Sequence, residues 1–303
     1  MDIEPPPFRV NQYRLFMCIE TTNNSTVYLA SKPPSSQKII LKFIPLNGKI
    51  PIERIDNECT LQCEIQHSYI MPINDFFDFQ QYRVIVMPRA NGGTIVNALA
   101  ENVITSITCI CKIMYRTLHS IFYLHQLSIL HGDIKPSNIV LMDTNSEEPQ
   151  PRLIDFGHAV RLRESEYCNC NLMTCSYSAP EVLLRQPHSF PSDIWSLGAT
   201  FYFLVTGQSV LHLKDLDLMA RDAMNLNLTF ESGFGPAFPE SGRSLIRMMM
   251  HHDPSMRPIA EYCIQNPLFI ETIGYEWVEA EGGSILRSDI FTSFSQDEDE
   301  MLY

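Results

Sequence analysis

The sequence predicts an α+β protein with a small β-rich lobe followed by a larger, mostly helical one. Three observations predict it. Short runs rich in β-branched and aromatic residues crowd residues 13–46, separated by turn-forming Asn, Pro and Ser. After the Asn91-Gly92-Gly93 break the hydrophobic spacing becomes helical. The stretch 106–126, "SITCICKIMYRTLHSIFYLHQ", is apolar on too many sides for a surface helix and needs a core around it. The chain's 303 residues, 45% of them apolar, are enough to supply that core without disulfide staples.

The elements follow in order. Residues 1–12 read as an irregular lead. "YRLFMCI", "STVYLA" and "KIILKFI" read as three strands broken by "TTNN" and "SKPPSSQ". "PIERIDNECTLQCEI" spaces Ile55, Cys59 and Ile65 as a helix would. "FFDFQQYRVIVMP" gives two more strands around a polar turn. "ILHGDIKPSNIVLMD" and "PRLIDFGHAV" read as short strands and loops, with "DTNSEEPQP" as the surface connection. From "APEVLL" to "NPLFIE" the pattern is helical with Pro-rich connectors. The expected organisation is a lead (1–12), an N-terminal lobe (13–87), a hinge (88–93), a C-terminal lobe (94–270) and an acidic tail (271–303).

Charge and cysteine usage bound the function. A net charge of −13 argues against a nucleic-acid partner or an anionic membrane surface. No apolar run approaches the ~18 residues of a membrane span. The acidic, Pro-rich start is not a basic leader, and scattered free thiols suit the cytosol, or the nucleus. Cys168, Cys170 and Cys175 lack zinc spacing. The closing run "SQDEDEMLY" reads as solvated, and the one further partner it suggests is a regulatory one for this acidic tail.

Polar residues concentrate in three segments. "HGDIKPSN" sets Asp133, Lys135 and Asn138 within six positions; "IDFG" sets Asp155 between an apolar strand and a Phe-Gly turn; "ILKF" isolates Lys42 in a β-branched strand. A charge among apolar neighbours is costly unless paired or bound to something. Each segment alone is weak evidence.

With "NECTL" (Glu58), "SAPE", "SDIWSLG" and "HDPSMRP", in this order, the chain resembles the protein kinase family from about Tyr13 to Ile270. The resemblance implies the bilobal protein-kinase-like fold, ATP and Mg²⁺ as cofactors, and phosphoryl transfer to Ser or Thr hydroxyls of a protein substrate. It implies Asp133 as the base orienting the hydroxyl, Lys135 beside the transferred phosphate, and Lys42 as the phosphate clamp. Glu58 would hold Lys42, with Glu64 the alternative helix carboxylate. Asn138 and Asp155 would be the hard oxygen ligands that Mg²⁺ prefers. The adenine would lie under Ile19 and Val27, over Val140, with Met87 at the back and the backbone of Arg89 and Ala90 at the hinge. Glu181 and Arg257 resemble the family's buried ion pair, and Asp193 the residue that braces the catalytic loop.

Two departures bear on activity. The family's loop pattern G-x-G-x-x-G-x-V, counted back from Val27, finds Glu20, Thr22 and Ser25 at its glycine places. Side chains there hold backbone amides away from phosphate, which leaves the Thr22 and Ser25 hydroxyls and the remaining amides as donors. Ile40 stands where the family prefers Ala, crowding the adenine. Gly132 stands where most members carry the Arg that reads an activation-loop phosphate, so activity is expected not to depend on one by that route. That loop offers Ser165, Tyr167, Thr174, Ser176 and Tyr177 as acceptors, and Thr174 with "DIKPSN" favours Ser/Thr over Tyr as the substrate hydroxyl. The alternative is a pseudokinase, a nucleotide-binding or scaffolding protein with little catalysis.

Overall fold

The computed structural model describes residues 9–163, 166–168, 175–211 and 215–283. The chain divides into two compact units: Met1–Gln66 with Met71–Arg89, and His67–Ile70 with Ala90–Tyr303. The α+β class and the order of a β-rich then a helical part are those the sequence predicts.

In the first unit β1 (Arg9–Val10), β2 (Tyr13–Thr21), β3 (Thr26–Ser31), β4 (Lys38–Pro45), β5 (Asp75–Phe79) and β6 (Tyr82–Pro88) form one antiparallel sheet in the order β1-β2-β3-β4-β6-β5. Residues 9 and 10, inside the expected irregular lead, thus add a short edge strand. Alternation places Leu41 and Phe43 in different neighbourhoods from Lys42 and Ile44. One face buries Tyr13, Leu15, Ala30, Leu41, Phe43, Tyr82 and Val84. The other packs Ile44 and Ile85 against Ile55 and Cys59 of α1 (Ile52–Glu64). Cys59 is therefore a core thiol, pushed up to about 11 by burial, while Cys63, one turn on, is exposed.

In the second unit α2 (Ile95–Ala100) and α3 (Ile107–Gln126) come first. Ser106 Oγ caps α3 by accepting from the Cys109 amide at 3.1 Å. The helix is buried on nearly every side, as its apolar composition requires. Four short strands follow: β7 (Ile129–Leu130), β8 (Ile139–Leu141), β9 (Pro151–Leu153) and β10 (Val160–Arg161), paired as β8–β9 and β7–β10. Then come α4 (Pro180–Leu183), α5 (Phe190–Thr206), α6 (Leu216–Met224), α7 (Glu240–Met249), α8 (Ala260–Ile264) and α9 (Pro267–Ile273). Gly207, at φ +71°, ends α5 in the left-handed conformation that glycine adopts without strain.

The buried cations of α3 determine how the C-terminal part packs. Arg116 donates to both Glu281 carboxylate oxygens (3.0 and 2.9 Å), to Glu148 (3.0 Å) and to the Pro149 carbonyl (2.6 Å). Lys112 donates to the Glu147 carbonyl and to Glu148, which also accepts from Trp277. Residues 275–283 are helical and anchored here, although they fall in the stretch read from sequence as an acidic tail. The "DEDE" run lies outside the described residues. The same cluster reaches Tyr69, whose hydroxyl donates to Glu281 and whose carbonyl accepts from Ser120. No helix among the described residues is long and apolar enough to cross a membrane.

Candidate active site

The second unit holds most of the polar residues that the sequence singles out. The chain leaves β7 into His131, Gly132 and Asp133, makes one tight turn over Pro136–Asn138, and enters β8. Asp193, near the start of α5, anchors that path. Its Oδ2 accepts from the His131 amide and its Oδ1 from the Gly132 amide, both at 2.9 Å. Burial pushes Asp193 up, but His125 (Nε2 to Oδ2, 3.1 Å), the charge of His131 and the Gly132 amide outweigh it and leave the carboxyl below its ordinary range. His125 was not among the residues singled out from sequence. Its only signal is a position near the end of α3, eight residues before Asp133.

Asp133 is buried and held from two sides. Lys135 Nζ lies 2.6 Å from its Oδ2, and Asn138 Nδ2 donates to the same oxygen at 3.1 Å and to the Asp133 carbonyl at 2.8 Å. Because the side-chain Nδ2 of Asn138 is used in this way, its Oδ1 is the side-chain atom left to serve a cation. The β8–β9 pairing, Ile139 with Leu153 and Val140 with Arg152, brings the next segment alongside. The Ile154 amide donates to the Asn138 carbonyl at 2.9 Å, so Asp155 follows directly from a point fixed on Asn138. Asp155 sits at φ +67°, a region sparsely populated by residues other than glycine and concentrated at functional sites. Phe156 is fully buried, edge-on to His131 with centroids 4.9 Å apart. Val140 is buried and bridges Thr94.

Gly132 carries more meaning than its sequence neighbourhood gave. It lies at φ +76°, and a Cβ there would stand 2.9 Å from the His158 carbonyl oxygen. Both backbone conformation and space call for glycine at this point of the loop's path.

In the first unit Lys42 Nζ meets Glu58 Oε1 at 2.8 Å, with both side chains largely buried. Glu64 lies exposed at the end of α1, so Glu58 is the helix carboxylate that pairs with Lys42. Directly paired residues of an antiparallel sheet share a face. Val27, Lys42 and Ile85 form one row, and Leu29, Ile40 and Met87 the next. The bulk of Ile40 is thus set between Leu29 and Met87. Ile19 falls at a register shift in β2 and is half exposed. Arg89 ends this unit, exposed, and Ala90 opens the other.

The glycine-free loop is a closed turn. The Thr22 amide donates to the Ser25 carbonyl at 2.9 Å, and Thr22 Oγ1 accepts from the amides of Asn24 (3.2 Å) and Ser25 (3.0 Å). Three of the amides expected to remain as phosphate donors are therefore bonded within the turn. Ser165, Thr174 and the acidic tail's end lie outside the described residues.

Glu181 and Arg257 make the two-pronged pair expected, at 2.7 and 2.8 Å, and Arg257 lies 5.0 Å over the Trp195 ring. These contacts tie α4 to the segment after α7.

The donors present suit Mg²⁺, which takes one or two carboxylates plus substrate phosphates. The Asp155 carboxylate and the side-chain Oδ1 of Asn138 are hard oxygens of that kind. Compared with known families, residues 19–269 match the protein kinase domain. That span covers most of the chain and contains Lys42, Glu58, Asp133, Asn138, Asp155, Glu181, Asp193 and Arg257. The chain belongs to the protein kinase domain family.

Proposed function

We propose that the chain is an active Ser/Thr protein kinase, with the γ-phosphate of ATP as donor and a protein hydroxyl as acceptor. The observation that carries this is the preorganised Asp133: one carboxylate oxygen held by Lys135 and by Asn138 before any substrate arrives. A scaffold has no physical need for such a carboxylate.

Each residue then has a role. Asp133 orients the acceptor hydroxyl and takes its proton as the new O–P bond forms and the bond to the β-phosphate oxygen breaks, releasing ADP. Lys135, beside Asp133, offsets the charge that gathers on the transferred phosphoryl oxygens. Lys42, kept extended by Glu58, binds the α- and β-phosphates. Val27, Ile19, Met87 and Val140 enclose the adenine, and Arg89 and Ala90 offer backbone hydrogen bonds. Asn138 and Asp155 would hold Mg²⁺, which would neutralise phosphate charge. Thr174, seven residues before Glu181, and Lys135 favour Ser and Thr acceptors over Tyr. The cytosol or nucleus is the expected compartment.

The second reading, a pseudokinase, is favoured by the closed turn at Thr22–Ser25 and by Ile40. Both weaken nucleotide binding without removing a catalytic group. The test is phosphate incorporation into a basic protein mixture with Mg²⁺ or Mn²⁺, against Asp133→Ala and Asp155→Ala. Incorporation by the parent chain, reduced ~10²-fold or more in both variants, supports the enzyme. No incorporation, with a melting temperature that Mg-ATP does not move, supports the scaffold.

A further inference from the structure

Asp155 stands at φ +67°, a conformation that residues other than glycine keep only where the surrounding structure fixes it from several sides. Part of that support comes from β8. Leu153 pairs with Ile139, and the Ile154 amide donates to the Asn138 carbonyl at 2.9 Å. More comes from the opposite edge of β9. There the Leu153 amide donates to the Tyr69 carbonyl at 2.9 Å, and Ile70 bridges Leu153 in parallel. Tyr69 and Ile70 thus brace β9 two residues before Asp155.

Tyr69 is itself held at both ends. Its carbonyl also accepts from Ser120 Oγ of α3 at 2.9 Å. Its hydroxyl donates to Glu281 Oε1, in the helical residues 275–283. Arg116 of α3 grips the same carboxylate at 3.0 and 2.9 Å, and its guanidinium carbon lies 5.4 Å over the Tyr69 ring. Tyr69, Arg116, Ser120 and Leu153 are all buried. A phenylalanine would fill the space of Tyr69 as well; the hydroxyl adds a fixed attachment to Glu281. All these residues belong to the second unit, so one line of contacts inside it runs from Glu281 through Tyr69 and Leu153 to the segment that carries Asp155.

We propose that Glu281 is a positioning residue for Asp155, acting through Tyr69 and Leu153. Seated on α3, residues 275–283 hold the outer edge of β9 and keep the Asp155 carboxylate where it can take a divalent cation together with Asn138. Lifted from α3, they release Tyr69 and let Asp155 leave the left-handed region. The inference rests on the reading of Asp155 as a Mg²⁺ ligand. It adds a control on that ligand from residues beyond the family match, which ends at residue 269.

The test is Mn²⁺ titration of the full chain in the presence of ADP, read by the electron paramagnetic resonance of free Mn²⁺, with metal-free ADP binding measured alongside. Mn²⁺ takes the same hard oxygen ligands as Mg²⁺. Tyr69→Phe removes the hydroxyl and keeps the ring. It is expected to weaken Mn²⁺ binding about tenfold, as loss of support behind a ligand does, and to leave metal-free ADP binding within about twofold. Glu281→Ala is expected to act in the same direction. The double variant is expected to lose no more than the stronger single one, because the two residues act in series. Lys112→Met is the stability control. It breaks the same cluster at Glu148, touches neither Tyr69 nor Glu281, and is expected to leave Mn²⁺ binding unchanged. Mn²⁺ binding as tight in Tyr69→Phe as in the parent overturns this inference alone. So does an equal weakening in Lys112→Met, or a double variant whose losses add. A parent that binds no Mn²⁺ with ADP overturns the reading of Asp155 as a metal ligand, and this inference with it.

Discussion

At Gly132 backbone conformation and space both select glycine. Its backbone lies in the left-handed region, and the space beside it is filled by the His158 carbonyl. An L-residue there costs roughly 1–2 kcal/mol in conformation alone, before the close contact is relieved. Gly132→Ala is therefore expected to lower the free energy of unfolding by about 2 kcal/mol or more in urea titrations. Gly132→Arg is expected to lose stability in the same way and to gain no dependence on loop phosphorylation. An alanine variant as stable as the parent would show that the loop does not need this glycine. Asp193 is coupled to the same position, since it accepts the Gly132 amide as well as that of His131.

At the scale of elements, the turn Thr22–Ser25 and the helical residues 275–283 carry separate predictions. The turn satisfies three of its own amides through Thr22 and Ser25. Replacing Thr22 and Ser25 together by Gly removes the Thr22 hydroxyl that holds the amides of residues 24 and 25 and frees those two to approach phosphate, so ATP affinity is expected to rise by roughly three- to tenfold. Equilibrium nucleotide binding checks this, and unchanged or weaker binding would mean that the turn does not limit access. Residues 275–283 are anchored through Glu281, which grips the buried Arg116 and accepts from Tyr69. They lie beyond the family match, which ends at residue 269. Glu281→Gln leaves Arg116 with the more exposed Glu148 and is expected to cost about 3 kcal/mol, measured by denaturant unfolding.

Over the whole molecule, pH acts through two histidines in the second unit. His67 is pushed down to about 3 by burial and by the charge of His119, and His119 down to about 4 by burial. Their rings stack on Tyr123 and pack against Tyr115, and the Nε2 of each is enclosed without a hydrogen bond among the described residues. Both remain neutral when folded but take up protons near pH 6.5 when unfolded. Below pH 6.5 the unfolded chain binds the extra protons, so stability falls with falling pH until the folded rings titrate near 4 and 3. The slope is about 1.4 kcal/mol per histidine per pH unit. Unfolding at pH 7.5 and pH 5 should show this loss, and the double change to Gln should shrink it.

Much of this fold was legible in the residues themselves. Period-two runs marked the strands from Tyr13 to Pro88, and the continuous apolar stretch of α3 marked a buried helix. The Lys42–Glu58 and Glu181–Arg257 pairs could be named because their segments resemble a known family in order and spacing. What escaped was what depends on a particular backbone path. The positive φ of Gly132 and Asp155 has no local signature, and His125 acquires meaning only where α3 brings it to Asp193. The edge strand at Arg9–Val10 is too short for any periodicity. The helical residues 275–283 owe their place to Arg116 and Glu148, more than a hundred residues away, and an acidic neighbourhood disguised them as tail.

The most direct test of the central claim is phosphate transfer by the purified full chain with Mg-ATP, compared with Asp133→Asn, a near-isosteric change that leaves the carboxylate's place filled. The expected result is measurable Ser/Thr phosphorylation by the parent and a loss of ~10²-fold or more in the variant, with ATP binding retained. Equal incorporation by both chains, or none by a parent that binds no nucleotide, would contradict it.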